Sequence, residues 1–529
     1  MKYLNILMVI SLLLTGASCS DFLEEKPRDE ISLDQFFTEP GHAENAVNSL
    51  YRNGAPNMYL DGGVYNGKKV MLTQYLSGFF DNEYKGQEPH IQHAQQLTLN
   101  GSNLDDYMAG IWSSLYTGIA RANNAIKYIP TTPGLTEAQS NRLLGEAKFF
   151  RAFAYYFLVR LYGEVPLVTE PYESLDNLFV SQSSVADVYQ LITDDLKFAV
   201  NEGGLPQAAM VNNGYRITQG VAATLLAEVY LNMSGYPLQD NKFGEAAAMA
   251  KKVIESGVYS LTQHSYDNGG NLIPEESAYN KIRKEQALAN EYIYHLEYFI
   301  GISTTVFPQW SYPVSFASEV KYAITNGGYQ PVDEFVWGYD ADNDLRIQNK
   351  QYFHNTYEDG EGNTVEFPMT PYIWHDDDAI FETANSGKDL RAYGYSDILL
   401  IAAEAVAKSE GVTAEAVDYL AQVRSRAYWK MDKADIVNHL SGLTVDEFVE
   451  EVWKERYREL VFDFKLWFDI ARTRKFPTST ENGNGAISFV DFVGQSNSWG
   501  KTFEAKHLLL PLPERELQRN PNLIQNEGY

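Results

Sequence analysis

From Leu143 to Leu161, apolar residues fall at Leu143, Ala147, Phe150, Ala154, Phe157 and Leu161. Steps of four and three draw one stripe down a helix. The stripe stops at "LYGEVPLV", where Gly163 and Pro166 interrupt helical spacing. Residues 217–231, "ITQGVAATLLAEVYL", are small and apolar on most sides, the pattern of a helix buried among others. After a break at Gly235 and Pro237, "FGEAAAMAKKVIESG" resumes the helical period. Periodicity also predicts helices over 41–53, 104–129, 184–201, 395–409 and 413–428. The last long helix is predicted to start at Thr444, where "TVDE" places Glu447 for a capping box, and to run to about Arg474. Pro and Gly scatter through 265–390 and 476–515, which read as loops with short strands. The expected fold is therefore mostly α. A helical scaffold covers about 40–260 and 390–475, and loop-rich excursions cover about 60–105, 265–390 and 476–515. Loops of that length usually carry function.

The N-terminus changes the picture. Lys2 is followed by an apolar run from Ile6 to Leu14, broken only by Ser11, and then by Thr15, Gly16, Ala17 and Ser18. This is how a secretory signal peptide reads, over residues 1–18. The run falls short of the roughly 20 residues that span a bilayer. Cys19, the only cysteine, follows the small residues directly. That arrangement looks like a lipobox, which implies cleavage before Cys19 and acylation there. Residues 19–529 are expected to form one domain held at a membrane by its acyl chains. The formal charge of −28 repels phosphate backbones, so nucleic acid is not an expected partner. The 36 Tyr, 27 Phe and 8 Trp suit sugar rings and a large core equally well, so composition does not choose between them.

The helical pair across 217–257, with alanines at close-contact positions, resembles a tetratricopeptide unit. Several segments together resemble the SusD/RagB family of outer-membrane nutrient-binding lipoproteins. They are "CSDFLEEKP", "IWSSLYTGIARANNAIKYI", "EAKFFRAFAYYFLVRLYGEVPLV", "RITQGVAATLLAEVYL", "DILLIAAEAVAKS", "ERYRELVFDFKLWFDIAR" and the terminal "LLLPLPERELQRNPNLIQNEGY". The resemblance implies a helical framework of tetratricopeptide-like pairs, covered on one side by irregular loops that form the ligand site. It also implies a position on the outside of the outer membrane, glycan or other nutrient binding, and a SusC-type TonB-dependent transporter as partner. The chain departs from the family at Phe464 and Leu466, where Gly and Arg are usual.

Glu455, Arg456, Glu459, Asp463, Asp469 and Arg472 share helical spacings of three and four, which predicts structural ion pairing rather than acid–base chemistry. "DADNDLR" places oxygens at Asp340, Asp342 and Asp344 like a calcium loop, but Leu345 and Gln351 stand where an EF-hand needs Gly and Glu. An irregular calcium site there stays open, as does a similar one at "HDDDA", residues 375–379. His90 and His93 have metal-compatible spacing without an identifiable third ligand. No GxSxG, Walker loop or HExxH occurs. Two aromatic clusters remain, "YLSGFFDNEYKGQE" at 75–88 and "FPQWSYPVSF" at 307–316. Their rings either pin loops to the scaffold or face a ligand. With the family resemblance, the expected ligand set is Trp310 and Tyr312, stiffened by Pro308 and Pro313, with Asp81, Asn82 and Tyr84 opposite. Two rival functions stand beside an oligosaccharide-binding protein: an α-helical glycosidase using two carboxylates, and a helical scaffold that binds only protein.

Overall fold

The helices begin where side chains cap them. Thr136, Ser184, Thr218, Thr413 and Thr444 each accept a hydrogen bond from a first-turn backbone N–H, which satisfies a donor the helix itself leaves open. A computed structural model describes residues 36–60, 69–83, 85–172, 178–321 and 327–529. Residues 1–18, Cys19 and Tyr84 lie outside the described residues. The scaffold comprises α1 (Pro40–Asn48), α2 (Asp105–Tyr128), α3 (Glu137–Tyr162), α4 (Val185–Asn201), α5 (Gln219–Ser234) and α6 (Phe243–Glu255). After the long excursion it continues with α7 (Tyr395–Glu410), α8 (Ala414–Ala427), α9 (Val445–Glu459) and α10 (Leu466–Thr473).

Packing follows the apolar faces. From α2 to α8 each helix packs on the next, and α9 adds to α7. Helix α5 is buried at every position from Val221 to Met233, as a sequence apolar on most sides predicts. Helix α2 crosses the segment at Gly54 so closely that a Cβ on Gly118 would lie 2.4 Å from the Gly54 Cα. Among the described residues the strands form only two-stranded sheets, such as Phe80–Asp81 with Gln330–Pro331 and Phe353–Glu358 with Thr364–Pro371. The first excursion is not all loop, since Leu72–Ser77 and Pro89–Gln95 are helical.

The single helix predicted from Thr444 to Arg474 is two helices. Helix α9 ends at Glu459, a turn covers Val461–Asp463, and Phe464 takes a left-handed φ of 58° before α10. A non-glycine residue there costs about 1–2 kcal/mol. The buried Phe464 ring, packed on Tyr329 and Trp374, offsets that cost, and Gln74 Nε2 donates to its carbonyl. A glycine would adopt this conformation freely. No proline or glycine marks the break, so periodicity runs through it. Beside it, Lys465 takes up ion pairing with Glu228 and Asp397, while Leu466 is buried apolar surface.

The charged residues of α9 and α10 lock elements together. Arg456 pairs with Asp397 and Asp469, Arg472 with Glu404 and Asp469, and Asp463 with Arg391. At the centre, Arg346 arrives from the long excursion and meets Asp344, Glu455 and Glu459 at 2.8–2.9 Å. Arg424 and Arg426 complete the shell of Glu455 and Glu459. Their role is structural, as the spacing predicts.

Candidate functional site

The short pairing of Phe80 with Pro331 and Asp81 with Gln330 brings two excursions together. Glu83 N donates to Gly327 O at 3.0 Å, and Gly327 N donates to Tyr312 O at 2.9 Å. Residues 79–83 and 85–88 therefore form one loop face with residues 307–321 and 327–331. Its exposed groups are not those the sequence indicates. Trp310 is 3 % exposed and packs against Phe307 and Trp374, with ring centroids 4.7 and 5.8 Å away. Tyr312 is 3 % exposed, inside a second apolar cluster with Phe316, Val320, Phe367 and Ile380. The prolines hold these rings inward, so neither presents a face to solvent. They are pins for the loops. Asn82 is buried as well.

Asp81 is half-buried and already occupied. Its Oδ1 accepts from Lys85 Nζ at 2.7 Å, Gln95 Nε2 at 3.0 Å and Asn82 N at 2.7 Å. Lys85 in turn holds its ammonium 4.3 Å over the ring of Trp499, a cation–π arrangement. Trp499 sits on the hairpin closed by the Ser496–Thr502 bridge. That hairpin is fixed by Asn497, whose Nδ2 donates to Gln95 O at 2.8 Å and whose Oδ1 accepts from Trp499 N. The indole Nε1 of Trp499 has no hydrogen-bond partner among the described residues. Within reach of the Lys85 charge, Glu83 is raised by burial above the usual carboxylate range, opposed by the Val314 backbone amide. Lys85, Trp499 and Glu83 thus form a half-open polar and aromatic patch, of which sequence reasoning missed Lys85 and Trp499. The turn residues Asn497 and Gly500 around a tryptophan are the one signal that points there.

The calcium candidates do not converge. Asp344 turns inward to Arg346, whereas Asp340 caps Asp342 N and Asn343 N. In "HDDDA", His375 Nε2 bonds Asp377 at 2.9 Å and Asp376 accepts from the Ser386 hydroxyl. His90 is buried and stacks on Tyr107 at 4.0 Å, while Nδ1 of His93 lies 2.7 Å from the Thr98 hydroxyl. No group of three metal-ligating side chains occurs among the described residues. A separate cleft of about 600 Å³ opens at the ends of α3, α5 and α10, walled by the C-terminal segment.

Two sequence profiles cover nearly the whole chain. The SusD family matches residues 249–529, and a group described as starch-binding associating with outer membrane matches 21–231. SusD-like protein P2 of Formosa agariphila is 28 % identical over the full length of both chains. A SusD superfamily protein of Parabacteroides distasonis has a similar structure, with TM-score 0.79 and 29 % identity over 92 % of this chain and 99 % of that one. Surface glycan-binding protein A of Bacteroides thetaiotaomicron, solved with laminarihexaose, shares the fold at TM-score 0.68 and 17 % identity over 92 % and 100 % of the chains. On the match across residues 249–529 and the helical fold it shares with these relatives, the chain belongs to the SusD family.

Proposed function

We propose that this protein is a surface-exposed, lipid-anchored receptor that captures an oligosaccharide and delivers it to a SusC-type TonB-dependent outer-membrane transporter. The observation that carries the reading is SusD family membership across the scaffold, joined to excursions that gather at one loop face. The description of the N-terminal match as starch-binding and outer-membrane associated supports the ligand class and the location. Acylation at Cys19 supplies the tether, and fatty-acid labelling that persists in Cys19→Ser would refute it. The glycosidase alternative finds no support in the carboxylates of α9 and α10, which are consumed by arginines. In this reading the sugar meets Trp499, Lys85 and Glu83, while Trp310 and Tyr312 hold the loops that carry them.

A glycan array identifies the ligand, and titration of variants locates it. Trp499→Ala should weaken binding about ten- to a hundredfold, if sugar stacking resembles base stacking at roughly 1–3 kcal/mol. Its melting temperature should stay close to that of the parent protein, because the ring is only half-buried. Release of new reducing ends would favour the hydrolase. An array without hits, beside a retained transporter complex, would favour the protein-binding scaffold.

A further inference from the structure

We infer that the cleft at the ends of α3, α5 and α10 is a second ligand site, one that takes an oligosaccharide bearing a carboxylate and holds that carboxylate on Arg474. The inference rests on the oligosaccharide reading above but concerns a different surface, because the cleft shares no lining residue with the loop face.

The cleft is a built cavity. Its volume of about 600 Å³ is within the range that encloses a small ligand. One wall is the end of α3 with Val159 and Gly163, another is α4 with Val185 and Tyr189, and a third is α10 with Phe468 and Ala471. The C-terminal segment closes the remaining side, and its position is fixed by amide bonds. Gln525 exchanges hydrogen bonds with Leu512, Asn526 Nδ2 donates to Tyr162 O and Leu510 O, and Ile524 N donates to Gln182 Oε1. Those carboxamides are spent on holding the wall. The ring of Tyr236, 43 % exposed, remains as an apolar face with a hydroxyl handle, which is what a sugar ring requires, while Tyr189 is buried in the wall.

Charge then selects the ligand. Three arginines line the cleft. Arg160 lies 3.8 Å from Glu228 and is sandwiched between the rings of Tyr156 and Phe468. Arg472 is bound by Glu404 and Asp469. Arg474 has no ion pair or side-chain hydrogen bond among the described residues, only a contact 5.2 Å over the Tyr236 ring. A chain with 70 Asp and Glu against 42 Lys and Arg offers carboxylates widely, yet none among the described residues meets this guanidinium. Arg474 lines the cleft with a planar fork of donors, the group that binds a carboxylate through two parallel bonds. Burial lowers its affinity for protons and Tyr236 opposes that, yet a guanidinium stays charged at neutral pH. The rim also carries Glu164 and Glu527, whose charge disfavours a polyanion. A single uronate among neutral sugars fits both facts.

The test uses trisaccharides containing one glucuronate, galacturonate or mannuronate, each paired with its carboxyl-reduced neutral form, titrated against the intact protein. At least one acidic member should bind more tightly than its reduced counterpart. Arg474→Gln should weaken that binding by about tenfold or more and leave the reduced form and the melting temperature unchanged. Trp499→Ala should leave the acidic ligand's affinity unaltered. Equal binding of acidic and reduced forms overturns the inference, as does an acidic ligand indifferent to Arg474→Gln. If no acidic trisaccharide binds while neutral glycans bind at the loop face, the cleft assignment fails and the proposed function stands. If no glycan binds at all, both fail.

Discussion

Replacing Arg346 by alanine should lower the free energy of unfolding by about 3–5 kcal/mol, the range for breaking a buried ion pair on one side. Arg346 is fully buried, and its guanidinium is the only ion-pair partner of Asp344 among the described residues. Without it, Asp344, Glu455 and Glu459 face one another in a buried interior. Glu455 keeps Arg424 and Glu459 keeps Arg426, but Asp344 is left uncompensated. The pH dependence provides a second reading of the same variant. Burial alone would raise Glu455, yet Arg346 and then Arg424 outweigh it and hold the carboxyl at about 2. Its folded value is thus below its unfolded value of roughly 4.3. A depressed carboxyl contributes stability that is fully present above the unfolded value and is lost as pH falls toward the folded one. The deficit of Arg346→Ala should therefore be largest at neutral pH and shrink below about pH 4. Urea melts at pH 7 and pH 3 measure it. An equal deficit at both, or one under about 1 kcal/mol at pH 7, would show that the carboxylates do not depend on this cation.

The scaffold was legible because its signal is local. A stripe such as Leu143 to Leu161 is set by residues within one helix, and α3 spans it. The ion pairs were legible only halfway. Spacing identifies the charges of α9 and α10 as structural, but Asp397, Glu404 and Arg346 come from elements far away in sequence. The break at Phe464 was hidden because its left-handed conformation is stabilised by a tertiary contact with Tyr329 and Trp374, not by its own chemistry. The loop face shows the same limit. That residues near Asp81 and Tyr312 lie together was expected with help from family resemblance, and the bonds through Gly327 connect them. Which rings face outward was not expected, because prolines stiffen an inward ring as well as an outward one. Lys85 and Trp499 meet across almost the whole chain, and no pattern within either segment contains that contact.

Trp310→Ala should cost about 3–5 kcal/mol and lower the melting temperature markedly, the behaviour of a large aromatic removed from a core. The ring contributes to an aromatic cluster in which Phe307 stacks on Trp374 at 4.9 Å, Trp310 meets both edge-on, and Trp374 continues to Tyr329 and Phe462. Truncation leaves a void of nearly an indole, and the flanking Pro308 and Pro313 restrict the backbone movement that would fill it. Trp310→Phe keeps part of the contact and should recover much of the loss. A secondary effect on ligand affinity is expected, since Tyr312 O anchors Gly327, and Gly327 O anchors the Glu83 loop. That effect should follow the loss of stability: weak in Trp310→Phe, stronger in Trp310→Ala. Paired thermal melts and titrations with the array-identified glycan separate the two roles. An unchanged melting temperature with binding abolished would mean that the indole meets the sugar directly, and that the loops open in solution further than this packing allows.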